Sequence, residues 1–209
     1  ADSLFSAPST AQALGRQLCQ QTLSVLFELW LHSQTRNPEM WEALSKAVRR
    51  WTGLMQLVDQ WKVTALALTN RTLAIMYGPA AGTESVLLKT AGDAQLQQLR
   101  LDDEYVFYAW HRMLHILGNP NESIAQPDIF KEFMTGLERL VQLYLDVQRP
   151  QDTGTACVLP PSGNTILHVF GQWLFQAVQL HRPSFDEGTA IAVRVMCNVF
   201  ITRHTTEYL

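Results

Sequence analysis

The feature that most constrains this 209-residue chain is the recurrence of apolar residues at three- and four-residue steps through most of its length. Such steps place apolar side chains on one face of an α-helix, whereas strands alternate with a period of two. Asn-Pro and Gly-Pro pairs punctuate the periodic segments. They mark helix ends because proline fits only the first turn of a helix. The pattern therefore predicts an all-α fold of about seven helices.

The predicted helices differ in how clearly their boundaries are marked. Residues 80–101 are the least regular stretch, and residues 85–88 fit either a short extended segment or part of a helix. β-branched residues in the last segment leave a strand as an alternative there. Ser184 and Glu187 have the spacing of a capping box before that segment. We predict helices over about residues 10–32, 38–52, 54–77, 102–117, 127–146, 164–180 and 185–202.

The first predicted helix is apolar on two sides. A helix of this kind is expected to be buried on both sides. One side carries Leu14, Leu18, Val25 and Leu29, and the other carries Cys19, Leu23, Leu26 and Trp30.

A weak internal likeness surrounds Trp30, Trp110 and Trp173, each followed by a helical tail and then a proline. These tryptophans are 80 and 63 residues apart, which fits pairs of helical hairpins at the irregular period of HEAT-type repeats. We therefore predict an α-solenoid of HEAT-like irregular helical hairpins that forms one domain over residues 1–209, cut from a longer protein. The alternative is that tryptophans simply occupy helical cores.

Composition excludes several classes of protein. The formal net charge is −3 and charged residues make up 17 %, so bulk charge does not predict nucleic-acid binding. No apolar run approaches the roughly 18–20 residues of a membrane span. Three cysteines without a CxxC pair fit a reducing compartment, so we expect a cytoplasmic protein and interpret the sequons at Asn70 and Asn121 as chance. The apolar share of 47 % predicts surplus contact surface, concentrated at the first and last helices.

The candidates for chemistry are few. His111 and His115 have a spacing that could bind zinc, but Arg112 stands where a metalloprotease carries its glutamate, and no third ligand is indicated. We expect a structural role and no cofactor, with a helical metal- or ligand-binding bundle that uses His111 and His115 as the alternative. Cys157 is the one plausible reactive thiol, and no base is positioned to activate it. The chain is therefore expected not to be an enzyme.

Arg49 and Arg50 are adjacent near the end of the second predicted helix. Arginines there face the negative helix end and solvent, which is their ordinary role. The alternative is that they contact an acidic protein partner, because arginine is enriched at interfaces. Self-association through an exposed apolar helix face is a further, compatible prediction.

Five stretches resemble one known family in order and approximate spacing, from about Leu14 to Leu209. Four of them resemble the amino-terminal region of the Ral GTPase-activating protein beta subunits. The fifth resembles a small-residue-rich helix of that family's alpha subunits and of tuberin. The stretches are TLSVLFELWL (22–31), VDQWKVTALALTNRTLAIMYGP (58–79), AWHRMLHILGNP (109–120), ILHVFGQWLFQAV (166–178) and DEGTAIAVRVMCNVF (Asp186–Phe200).

The resemblance implies a cytosolic α-solenoid that serves as a non-catalytic scaffold. Its expected partners are the catalytic alpha subunit, a kappa-B-Ras-type small GTPase bound directly, and Ral GTPases regulated indirectly through the complex. The family's catalytic domain lies at the far carboxyl end and uses an asparagine. No asparagine of this chain lies in anything that resembles that domain, so the resemblance implies no catalytic residue here.

Overall fold

The structure is a computed structural model that describes residues 9–89, 96–147 and 159–204. These ranges contain eight α-helices, a one-turn 3-10 helix (Pro79–Ala81) and one two-stranded sheet. The all-α prediction is confirmed, with a hairpin added. The helices are α1 (Ser9–His32), α2 (Pro38–Arg49), α3 (Met55–Tyr77), α4 (Asp103–Leu114), α5 (Pro120–Ser123), α6 (Pro127–Leu145), α7 (Gly163–Val178) and α8 (Asp186–Phe200), and the strands are β1 (Val86–Lys89) and β2 (Leu96–Leu99).

Four of the longer helices lie side by side in chain order, with α1 on α3, α3 on α6 and α6 on α8. The helices between them contribute a second layer, in which α4 packs on α3 and α7 packs on α8. Trp41 of α2 contacts Tyr108 of α4 edge-on, with ring centroids 6.1 Å apart. This alternation is compatible with stacked helical hairpins. The α-solenoid and its HEAT type both stay predictions.

Local capping explains where several helices begin and end. Asn37 accepts hydrogen bonds from the backbone N–H groups of Glu39 and Met40, and Asp102 accepts one from Tyr105. Gly78 ends α3 with φ of 95°, a conformation that suits glycine. The capping-box prediction at Ser184 is wrong. Ser184 lies in the left-handed region, with φ of 69°, and α8 begins after Phe185 without a side-chain cap.

The core is centred where α3 crosses α4 and α6. Trp61 is fully buried, and its indole stacks on Phe133 with ring centroids 4.5 Å apart. Its Nε1–H donates to the backbone carbonyls of Met113 at 3.0 Å and Leu114 at 3.3 Å. The Trp61 side chain therefore connects α3, α4 and α6 at the centre of the core.

The undecided stretch 80–101 contains the β-hairpin, in which β1 pairs antiparallel with β2. In β1, Val86 and Leu88 are buried and Leu87 between them is only half-buried, so this strand follows the period of two expected of strands. The hairpin packs against α3. The strand alternative for the last segment is wrong, because residues 186–200 form α8.

The structure adds a one-turn helix, α5, to the seven that the sequence predicts. Asn119 caps it and Pro120 occupies its first position. The buried Asn121 donates through Nδ2 to the backbone carbonyl of Trp173 at 3.1 Å, and Asn119 donates to Gln176 at 2.9 Å. These hydrogen bonds dock α5 on α7. The Gly-Asn-Pro sequence, from which we predict only the end of a helix, therefore also begins the next one.

The prediction that α1 is buried on both sides is wrong within the described residues. Cys19, Leu23, Phe27 and Leu31 are buried on the side that faces the core. On the opposite side, Leu14, Leu18, Val25 and Leu29 are 59 %, 41 %, 46 % and 61 % exposed, because no described element packs there.

Candidate partner-binding surface

Arg49 and Arg50 lie at the carboxyl end of α2, where Arg49 is its last residue and Arg50 its C-cap. Both side chains are exposed. The helix leaves unpaired carbonyls at this end, which gives it partial negative charge that favours cations. Local electrostatics thus explains why two arginines are tolerated side by side.

The Arg49 guanidinium lies along the loop that follows α4. A Cβ placed on Gly118 would come within 3.2 Å of Arg49 Nε, so the side chain covers that glycine closely. Gly118 itself has φ of 74°. The hydroxyl of Thr52 bonds the Arg49 carbonyl at 3.2 Å and the Ser123 carbonyl at 2.8 Å, which fixes the end of α2 against the α5 region.

Three other arginines of the described chain are engaged by carboxylates. Arg36 pairs with Asp102 and Glu104, Arg71 with Asp103, and Arg194 with Glu138. Within residues 14–88, 97–147 and 159–204, neither Arg49 nor Arg50 forms an ion pair. Two free guanidinium groups can bind carboxylates in the bidentate mode that distinguishes arginine from lysine.

His111 and His115 lie near each other at the end of α4, with ring centroids 4.9 Å apart. His115 is half-buried against Trp173, also at 4.9 Å, and burial together with the nearby His111 lowers the pKa of His115. In the part of the chain that the structure describes, no group of three His, Cys, Asp or Glu side chains is placed to hold a metal ion. The structural interpretation of His111 and His115 stays a prediction.

A pocket of about 360 Å³ lies beside α1 and the first turns of α3 and α6. Arg16, Cys19 and Asp128 contribute to its lining. Burial raises the pKa of the Cys19 thiol, which disfavours the thiolate that nucleophilic catalysis requires. Cys157, the thiol singled out in the sequence, lies outside the described residues.

The sequence predicts on which helices exposed apolar side chains should concentrate, but it does not predict which residues are exposed. Among the residues whose side chains the structure describes, most of the large exposed apolar ones lie on α1, on α8 or directly after α8, the first and last helices where the sequence predicts them. Phe175 of α7 lies near Phe200, with ring centroids 6.4 Å apart, and Phe200 stacks on His204. The three- and four-residue spacing identified these residues as apolar, but only the packing tells which of them lack a neighbour.

No helix in the described part of the chain combines the length and the apolar composition that crossing a bilayer requires.

Comparisons with known proteins give one consistent result. The model of the RALGAPB N-terminal domain matches residues 1–79. A Rap-GAP domain-containing protein of Dictyostelium discoideum is 36 % identical over 191 residues, which cover 91 % of this chain and 11 % of that relative. The Ral GTPase-activating protein subunit beta of Homo sapiens is 29 % identical over 185 residues, and that of Rattus norvegicus 28 %; each match covers 72 % of this chain and 12 % of the relative.

The chain thus spans only 11–12 % of the length of these relatives. No solved structure matches it. The resemblance expected from the first four sequence stretches is confirmed: the chain resembles the amino-terminal region of the Ral GTPase-activating protein beta subunit.

Proposed function

We propose that this chain is a non-catalytic helical module that binds protein partners within a Ral GTPase-activating complex. The observation that carries the proposal is the match to the beta subunit of that complex over 72 % of the chain. The module forms one scaffold domain over residues 1–209 in the cytoplasm, and the GTPase-activating activity of the complex resides elsewhere. Its partners are the catalytic alpha subunit and, directly, a kappa-B-Ras-type small GTPase; Ral is regulated through the alpha subunit.

Arg49 and Arg50 supply the partner contact in this proposal. They are adjacent, exposed and without an ion pair in the described chain, whereas Arg36, Arg71 and Arg194 are each held by a carboxylate. An acidic partner surface would gain two charge-assisted contacts without first breaking an internal pair. The contact lies at the surface, so its strength falls as salt rises.

The test is a pull-down with the purified 209-residue chain as bait. The prey are the alpha subunit, a kappa-B-Ras-type GTPase loaded with GDP or GTP, and a Ral-type GTPase. We expect binding of the alpha subunit and the kappa-B-Ras-type GTPase, and no direct binding of Ral. If the folded chain binds neither of the first two, the proposed function is wrong.

A charge-reversal pair locates the contact. Arg49→Glu/Arg50→Glu should weaken binding by about tenfold or more, because two attractive contacts become repulsive. Arg100→Glu/Arg139→Glu is the matched control, since both residues are exposed arginines without an ion pair in the described chain, one directly after β2 and the other on α6. Equal weakening by both double variants would indicate net charge rather than a contact at Arg49 and Arg50.

A further inference from the structure

We infer that the outer face of α1 pairs with the same face of a second copy of this chain, with the two helices antiparallel. This α1 stripe consists of Leu14, Leu18, Val25 and Leu29, and it lies opposite the side of α1 that packs on α3. The inference does not depend on the proposed partners.

The spacing of the residues in the α1 stripe is the same from either end of the helix. Its steps are four, seven and four residues, and its exposure is matched in the same way. The outer pair, Leu14 and Leu29, is 59 % and 61 % exposed, and the inner pair, Leu18 and Val25, is 41 % and 46 % exposed. A two-fold axis requires a self-complementary surface, in which residue i contacts j and j contacts i. An axis beside Gln21 and Thr22 satisfies this requirement, because it brings Leu14 to Leu29 and Leu18 to Val25 of the second copy.

The charges on α1 do not oppose this register. Between residues 14 and 31 the charged side chains are Arg16 and Glu28. Arg16 lines the pocket beside Gly53 and Leu54, away from the stripe. Glu28 flanks the stripe, and the antiparallel register places it level with Gly15 of the second copy, so like charges do not meet.

The size of the α1 stripe determines the affinity that we expect for the dimer. Four exposed aliphatic side chains follow one another along one face of α1. They are far fewer than the roughly 20–30 residues that each partner contributes to a standard stable interface. We therefore expect a reversible dimer with a dissociation constant on the order of 100 μM.

Sedimentation equilibrium over a range of concentrations tests the pairing. The wild-type chain should show a mass that rises toward the dimer, and Leu18→Lys or Val25→Glu alone should remain monomeric. Mixing these two variants should restore association, because the introduced lysine then faces the introduced glutamate, and the unchanged valine faces the unchanged leucine. Val193→Glu on α8 is the control, since Val193 is 42 % exposed and apolar but lies off the stripe.

A wild-type chain that stays monomeric at every concentration overturns the inference, as does a mixture that fails to associate. Loss of association in Val193→Glu also overturns it. Helical circular dichroism of each variant checks whether it is folded.

Disulfide trapping tests the register separately. In a background with Cys157→Ser and Cys197→Ser, Thr22→Cys should form a covalent dimer because it lies beside the axis. Leu14→Cys should not, since antiparallel pairing holds the two copies of residue 14 about 22 Å apart along the helices. Cross-linking of Leu14→Cys at the same rate would indicate a parallel pair and overturn the proposed register.

Discussion

Helices α1 and α3 lie next to each other in the same layer, contain 24 and 23 residues, and carry apolar side chains around most of their circumference. Their burial differs. α3 is covered by α1, α4, α6 and the hairpin, whereas α1 has α3 on one side and no described neighbour on the other. Two helices of one pattern thus reach different environments because of their places in the stack. An apolar face on a helix predicts that another element packs against it. Whether that element belongs to the described part of this chain depends on where the helix lies among its neighbours.

The largest expected effect is at the centre of the stack, at Trp61. Trp61→Ala should lower the free energy of unfolding by about 4 kcal/mol, because it removes the stacking on Phe133 and leaves a cavity between three helices. Urea denaturation measures the change. Trp61→Phe, which keeps a ring but loses the donation to the carbonyls of Met113 and Leu114, should cost less. A loss below about 1 kcal/mol in Trp61→Ala would contradict the central role of Trp61.

The next largest effect is expected at Gly188, and it tests whether the inner face of the last helix, α8, is packed as tightly as α3. A Cβ on Gly188 of α8 would come within 2.5 Å of Cδ1 of the fully buried Phe130. Gly188→Ala should therefore destabilise by about 1–2 kcal/mol, even though alanine favours helices. Gly171→Ala in α7 is the matched control, since its nearest contact would be an ordinary 3.5 Å from Leu167, and it should stabilise by up to about 1 kcal/mol. Thermal unfolding that shows the same sign for both variants would rule out tight packing at Gly188.

A smaller effect, on the pH dependence of stability, is expected at His115 in the second layer, where this side chain is half-buried between α4 and α7. Because its pKa in the folded chain is lowered from the ordinary 6.5, the unfolded chain takes up the proton first as pH falls. Stability should thus be fully present above about pH 7 and decrease as pH falls through 6.5 toward the lower folded pKa.

His115→Gln should remove this slope, which denaturation at several pH values measures. His111→Gln should only reduce it, because burial of His115 is the larger cause and His111 the smaller. A wild-type chain that becomes more stable on acidification through this range would contradict the assignment.

The smallest effect is expected on the α1 stripe. Leu29→Gln should change the free energy of unfolding by less than about 0.5 kcal/mol in dilute solution, because Leu29 is already 61 % exposed. Leu23→Gln is the control on the same helix, since Leu23 is 5 % exposed and its replacement buries an amide. Comparable losses in the two variants would indicate that the stripe is covered even in the isolated chain.

Local chemistry made several helix boundaries predictable. Asn37 and Asp102 cap helices by hydrogen bonds to residues two or three positions away, and Gly78 ends α3 through its own backbone. Each signal is complete within a few residues of sequence. The hairpin was harder, because an alternation of four residues is too short to separate a strand from a helical turn.

Long-range packing was not predictable from spacing. The exposure of Leu14 and Leu29 depends on what lies beside α1, and the position of Arg49 over Gly118 depends on how the loop after α4 folds back. Sequence reasoning did identify Arg49 and Arg50 as a surface pair, since their place at the end of α2 follows from local periodicity. Their freedom from carboxylates follows only from the fold.

The docking of α5 has a consequence for covalent modification. A glycan is joined to asparagine through the side-chain amide nitrogen, and in Asn121 that atom donates to the Trp173 carbonyl beneath a surface that leaves the residue 4 % exposed. The Asn-Glu-Ser sequon is therefore closed once α5 rests on α7. A sugar found on Asn121 would mark chains that were modified before they folded.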